Sequence, residues 1–140
     1  MASVFTRIIE GELPGRFVWR DDQVVAFLSI NPITPGHTLV VPRLEIDHWI
    51  DLEPDLLAAC GEVARIVGAG IQQAFDPPRV GQMIAGFEVP HCHIHVLQIG
   101  DLGDLSFANA ASDPDPAQMD DAAERIRAAL SDLGHGEHVG

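Results

Sequence analysis

The chain has 140 residues, 46% of them hydrophobic and 21% charged, which is typical of one globular domain with its own core. The formal net charge is −13, so we expect no binding to nucleic acid or to a membrane surface, because both require clustered cations. All basic residues are arginine, and the lack of lysine excludes Schiff-base chemistry and a Walker-type phosphate loop.

Two further features of the sequence predict the compartment. No segment has the basic start and apolar run of a signal peptide, and no apolar stretch is long enough to span a bilayer. The two cysteines, Cys60 and Cys92, form neither a CxxC motif nor a disulfide framework. We therefore expect a cytoplasmic protein in a reducing environment.

The first third of the chain consists of short apolar segments separated by turn residues. Residues 4–9 are predicted to form a short helical turn. Residues 17–19 and 24–28 are predicted to form a β-hairpin around a polar turn. Proline and glycine then interrupt the chain before a further strand, predicted at residues 37–42.

A long amphipathic helix is predicted from Pro54, because proline suits the first position of a helix and apolar residues then recur every three or four positions up to Phe75. Two strands are predicted to follow, at residues 80–85 and 91–99. A second helix is predicted to start at Pro116, with a loose tail behind it. This order of elements favours an α+β fold with an antiparallel sheet.

The segment His91-Cys92-His93-Ile94-His95 places three histidines at alternate positions of a predicted strand. Because the side chains of a strand alternate between its faces, the three imidazoles share one face and the residues between them face the core. Imidazole is the side chain whose ordinary pKa lies near neutrality. The row therefore offers a nucleophile with acid–base partners, or a set of metal ligands, and a purely structural role is disfavoured.

Two kinds of chemistry suit this row of histidines. A neutral imidazole can attack phosphorus and leave again, which divides one displacement into two through a nucleotidyl-histidine. His93 is flanked on both sides and is the candidate nucleophile, with a neighbouring imidazole to assist the leaving group. Metal binding is the alternative, since two histidines at i and i+2 with Glu88 nearby resemble an open zinc site.

The chain resembles the histidine triad (HIT) family, in its Hint-like branch. Residues 91–97 match the pattern of three histidines alternating with apolar residues that defines the family. Three upstream blocks, at residues 5–14, 26–32 and 35–42, resemble the N-terminal part of the family in the same order. The resemblance covers about the first hundred residues.

The resemblance implies a HIT-like fold, with a five-stranded antiparallel sheet, one long helix and a C-terminal helix. Residues 1–110 would form the HIT domain, and residues 111–140 would form a helix and tail packed on the same domain. It further implies a homodimer that binds a purine mononucleotide or a nucleotidyl conjugate. The implied activity is that of a nucleoside phosphoramidase or nucleotidyl hydrolase, with no metal and no cofactor.

The resemblance also assigns roles to individual residues. His93 matches the nucleophile, and His91 and His95 match the flanking members of the triad. His37 matches a further histidine behind them. The residues implied to contact the nucleotide are Phe5, Ile8, Phe27, Ser29, Ile30, Glu88 and Val89.

Several residues depart from the family pattern. Ser29 stands where an aspartate usually binds the ribose, Glu88 replaces a serine or threonine, and the segment at residues 82–88 is shorter. These changes leave a second hypothesis open, a nucleotide sensor or interaction dimer without turnover. Some bacterial relatives carry a structural zinc, but Ser3 and Thr6 occupy the positions of two of its ligands here. We therefore expect no structural zinc.

Overall fold

The computed structural model describes residues 2–140, and its elements follow the order predicted from the sequence. These elements are α1 (Val4–Ile9), β1 (Phe17–Arg20), β2 (Val24–Leu28), β3 (Thr38–Pro42), α2 (Pro54–Phe75), β4 (Arg79–Met83), β5 (Ile94–Ile99) and α3 (Pro116–Leu130). The strands form one antiparallel sheet in the order β1-β2-β3-β5-β4. The predicted α+β class, with a five-stranded antiparallel sheet and helices, is confirmed.

Each face of the sheet has its own core. Helices α2 and α3 cover one face, where residues such as Val40 and Val96 pack beneath them. On the other face, Phe5 and Ile8 of the short helix α1 pack against Phe27 and neighbouring residues of β2 and β3. A six-residue helix cannot cover a whole sheet face, so this second face has room for a cavity.

Helix α2 has the limits that its apolar pattern predicts. It starts with Pro54 and ends at Phe75, and Asp76 takes a left-handed conformation with φ at 49°. Pro77 and Pro78 then prevent the helix from continuing. No helix within residues 2–140 combines the length and hydropathy needed to cross a membrane.

The strand that carries the histidines begins later than predicted. β5 starts at Ile94 rather than at residue 91, because the Cys92 N–H donates to the Ile46 carbonyl, at 2.7 Å, instead of joining the ladder. The alternation of faces still holds. Ile94 packs in the core under α2, whereas His95 lies opposite Leu39 of β3 on the face that α1 covers.

The prediction of a loose C-terminal tail is wrong. After α3 the chain turns at Gly134, where φ is 96°, and returns to β1. The Arg20 N–H donates to the His138 carbonyl at 2.7 Å. The His138 ring stacks on Trp19, with the ring centroids 4.5 Å apart. The large aromatic surface of Trp19 is thus covered by the end of the chain.

Gly36 generates a test of this fold, because it leads the chain into β3. Its φ is +86°, and a Cβ there would lie 2.7 Å from Cε2 of Phe75. Gly36→Ala is expected to lower the free energy of unfolding by about 2 kcal/mol, since alanine is strained at positive φ. Urea denaturation measures the change.

Gly61→Ala is the matched control for this substitution. Gly61 lies within α2, and a Cβ at that position meets no atom within 4 Å. Alanine should therefore raise the free energy of unfolding by about 0.5–1 kcal/mol, because it favours the helix over the unfolded chain. Equal unfolding curves for the two variants would contradict the role assigned to Gly36.

Candidate active site

The structure brings the three histidines of the motif together with His37, which precedes β3. All four histidines are almost fully buried, with residue exposures between 0% and 2%. The ring centroids of His93 and His95 are 4.9 Å apart, and those of His95 and His37 are 5.1 Å apart. The candidate histidines from the sequence thus form one continuous cluster.

A chain of hydrogen bonds sets the tautomers of His37 and His95. The Ile33 N–H donates to Nδ1 of His37 at 3.0 Å, so that nitrogen carries no proton. Nε2 of His37 therefore carries the proton and donates to Nδ1 of His95, at 2.9 Å. Neutral His95 then has its proton on Nε2, a buried atom without a hydrogen-bond partner among the described residues.

His93 has the opposite tautomer to His95. Its Nδ1 lies 2.8 Å from the His91 carbonyl, which can only accept, so Nδ1–H donates. In neutral His93 the lone pair is consequently on Nε2. This is the form of imidazole that can act as a nucleophile, and the backbone of the preceding histidine holds the ring in place.

His91 links the site to α1. Its Nε2–H donates to the Pro42 carbonyl at 2.7 Å, and its Nδ1 accepts from Oγ of Ser3, also at 2.7 Å. Glu45 completes the group by accepting from the Ser3 N–H and from Oγ1 of Thr6. Both hydroxyl groups already donate to other side chains and are poor zinc ligands, so the donor set does not fit a structural zinc.

Burial favours the neutral form of three of these imidazoles, those of His37, His91 and His95. It is the main reason why the pKa of His37 falls from its ordinary value of 6.5 to about 4 and that of His95 to about 3, with neighbouring histidines as a further cause. Burial also lowers the pKa of His91, although the Pro42 carbonyl opposes it. At neutral pH these three imidazoles thus supply lone pairs and N–H donors rather than positive charge.

A cavity of about 540 Å³ lies between α1 and the open face of the sheet. All seven residues expected to contact a nucleotide line it, although Ile30 is 71% exposed and lies at its rim. Sequence analysis missed Asn31, Leu39 and the ion pair of Arg16 and Asp120, which also line this cavity. No local pattern distinguishes these residues from ordinary core or surface residues.

A smaller cavity of about 240 Å³ lies on the other side of Glu88. His37, His95 and Phe107 contribute to its walls, and the Phe107 ring stands edge-on to His95 at 5.0 Å between centroids. Sequence analysis assigned no role to Phe107, because residues 100–114 show no periodicity. Only the packing of this loop against β5 reveals its position beside the triad.

Glu88, His93 and His95 are the residues within 2–140 that come nearest to a metal site, with one donor atom of each within 4.8 Å of the others. However, Nε2 of His95 carries a proton. If that proton moved to Nδ1, His37 would have to accept a hydrogen bond from it and would therefore have to lose its own Nε2 proton. Since the Ile33 N–H still donates to Nδ1 of His37, the His37 ring would then be an anion. The hydrogen-bond chain therefore fits acid–base chemistry and does not fit a resident metal.

Comparisons with known proteins agree with this arrangement. The model of the HIT domain matches residues 10–100. An uncharacterized HIT-like protein of Saccharolobus solfataricus is 36% identical, covering 67% of this chain and 71% of the relative. Adenylylsulfatase HINT3 of Arabidopsis thaliana is 28% identical, covering 67% of this chain and 50% of the relative.

Two solved structures are similar over almost the whole chain. A zinc-bound histidine triad family protein of Mycobacterium smegmatis has a TM-score of 0.82 and 27% identity, covering 97% of this chain and 98% of the other. A hypothetical histidine triad nucleotide-binding protein of Sulfolobus tokodaii has a TM-score of 0.81 and 26% identity, covering 92% of each. The chain belongs to the HIT family.

The neutral buried histidines generate a prediction about stability and pH. Because the pKa values of His37 and His95 are lower in the folded chain, the unfolded chain binds more protons below pH 6.5. The contribution of these two histidines to the free energy of unfolding should be at its maximum above pH 6.5. It should decrease toward pH 4, by up to about 1.4 kcal/mol per pH unit for each histidine. Urea titrations across this range measure the slope.

His95→Gln should reduce this slope, since it removes one of the two buried groups that the unfolded chain protonates. His48→Gln is the control, because His48 is exposed to solvent. A slope that is the same in His95→Gln as in the wild type would show that acid destabilises the protein elsewhere.

Proposed function

We propose that the protein binds a purine mononucleotide conjugate and cleaves it at the α-phosphorus through a covalent nucleotidyl-histidine. The observation that carries this proposal is the tautomer of His93. Its Nδ1–H is committed to the His91 carbonyl, so the lone pair of Nε2 is free. A ring nitrogen of His95 lies within 4.8 Å of a ring nitrogen of His93, which places a second imidazole beside the phosphoryl group.

The larger cavity suits a nucleoside. Its apolar walls include Phe5, Ile8 and Phe27, which offer an aromatic and aliphatic slot for a base. Oγ of Ser29 accepts from the Asn31 N–H at 3.2 Å, so its own hydrogen is free to bond to a ribose hydroxyl. A serine makes a weaker contact there than a carboxylate would, which reduces affinity without removing the binding mode.

The reaction proceeds in two displacements. Nε2 of His93 attacks phosphorus, a P–N bond to His93 forms and the bond to the leaving group breaks. Nε2–H of His95 donates a hydrogen bond to the phosphoryl group and stabilises the charge that develops there. Water then attacks the same phosphorus, breaks the bond to His93 and releases the nucleoside monophosphate.

The names of two similar proteins support a nucleotide reaction, since one is an adenylylsulfatase and the other is described as nucleotide-binding.

Ser29 and Glu88 favour a second candidate, a nucleotide sensor without turnover.

The free thiols of Cys60 and Cys92 support a cytoplasmic location.

The central test is hydrolysis of adenosine 5′-phosphoramidate by protein treated with a chelator. The wild type should release AMP, and His93→Ala should lose at least about 10⁴-fold in kcat, because the covalent route then has no nucleophile. AMP binding, measured by calorimetry, should persist in the variant, since the base slot is intact. Binding of AMP without turnover by the wild type would favour the sensor.

We further propose that the protein forms a homodimer through β4. The sheet has two edges, and the C-terminal residues already bind the edge at β1 through the Arg20 N–H. The outer edge of β4 has no strand beside it within residues 2–140. Trp49 and Phe87, 40% and 96% exposed, line an apolar hollow near the end of β4. An open edge beside exposed apolar side chains is suited to pairing with a second copy.

Light scattering coupled to gel filtration tests the dimer. The wild type should elute at twice the chain mass, and the double substitution Trp49→Asp, Phe87→Asp should shift the mass to that of a monomer, because it places charge in an apolar contact. Leu133→Asp is the control, since Leu133 is exposed beyond α3. A wild-type monomer at micromolar concentration would contradict the proposal.

A further inference from the structure

Glu88 occupies the junction of the two cavities. It lines both the nucleoside cavity and the smaller cavity that contains Phe107. Its Oε1 lies 3.8 Å from Nε2 of His95, the buried N–H that has no other partner. A conjugate with its nucleoside in the larger cavity and its phosphorus at His93 would therefore place its leaving group next to this carboxyl group.

None of the four imidazoles is suited to give up a proton in this reaction. His93 is the nucleophile, and His91 donates to the Pro42 carbonyl, away from the others. Loss of the Nε2 proton from His95 would draw the proton of His37 after it and leave an anionic imidazole, since the Ile33 N–H occupies the remaining nitrogen of His37. His95 thus stabilises charge by donating a hydrogen bond, but the transfer of that proton to a leaving group would be energetically unfavourable.

The other charged groups around Glu88 are already paired. Arg16 and Asp120, on the wall of the larger cavity, form an ion pair at 2.7 Å. Besides the histidines, these are the only charged side chains of the described residues that line either of these two cavities together with Glu88. The carboxyl group of Glu88 is therefore the proton carrier that remains at the leaving-group side.

We infer that Glu88 is the general acid and base of this reaction, an inference that rests on the proposed function. In the first displacement the Glu88 carboxyl group gives its proton to the leaving nitrogen as the P–N bond breaks and the bond to His93 forms, and an amine departs. In the second, the Glu88 carboxylate takes a proton from the attacking water. The carboxyl group is then restored, the bond to His93 breaks, and His93 regains its lone pair.

The phosphate charge supports this role. A phosphoryl anion beside a carboxylate is repulsive, so substrate binding favours the protonated carboxyl group, which is the form that the first step needs. The role also specifies the substrate class. Amines are poor leaving groups unless they are protonated, whereas a nitrophenolate leaves without a proton.

The experiment compares Glu88→Gln with the wild type on two AMP derivatives, the phosphoramidate and the p-nitrophenyl ester. We expect kcat for the phosphoramidate to fall by about 100-fold or more, the usual contribution of a general acid. The first turnover of the ester, measured as the burst of nitrophenolate, should remain close to that of the wild type, because that displacement needs no proton. Glu62→Gln, on the exposed side of α2, is the matched control and should change neither rate.

The contrast between the two substrates is a readout that a structural role would not move, because a displaced side chain would slow the first displacement of both. Equal losses in the first-turnover rates of both substrates in Glu88→Gln would overturn the acid–base role and leave the proposed function intact. A wild type that cleaves neither derivative would overturn both.

Discussion

The hydrogen bond from the Ile33 N–H to Nδ1 of His37 governs the chemistry of the site. It fixes the proton of His37 on Nε2, which fixes that of His95 on its own Nε2, and so determines which nitrogen of His95 is a donor. A backbone amide cannot change its protonation state. The direction of the hydrogen bonds from Ile33 through His37 to His95 is therefore set by the fold rather than by pH, as long as both imidazoles stay neutral.

The neutrality of His37 and His95 depends in turn on their burial. His95 lies on β5, His37 precedes β3, and the Phe107 ring stands edge-on to His95. Burying polar groups is unfavourable unless they are hydrogen-bonded, and Nε2 of His95 is the one fully buried side-chain nitrogen or oxygen within residues 2–140 that has no partner. That N–H is the donor that the proposed mechanism directs at the phosphoryl group.

The two-sided construction of the sheet explains where this site can exist. α2 and α3 cover one face and pack the larger of the two cores against it, so that face provides stability. The short helix α1 covers only part of the other face, and the larger cavity lies beside it. Ser3 at the start of α1 also holds His91, so the wall of the cavity and the triad are connected by one hydrogen bond of 2.7 Å.

The sequence by itself determined the order of the elements, the antiparallel sheet and the shared face of the histidines, because these follow from local periodicity, turn residues and side-chain alternation. It did not determine where β5 begins, since the Ile46 carbonyl that removes Cys92 from the ladder is distant in sequence. Only the tertiary structure decided the protonated nitrogen of each histidine, the place of Phe107 and the closure of the tail on Trp19. Each of these depends on partners brought together by folding, and no local pattern encodes such contacts.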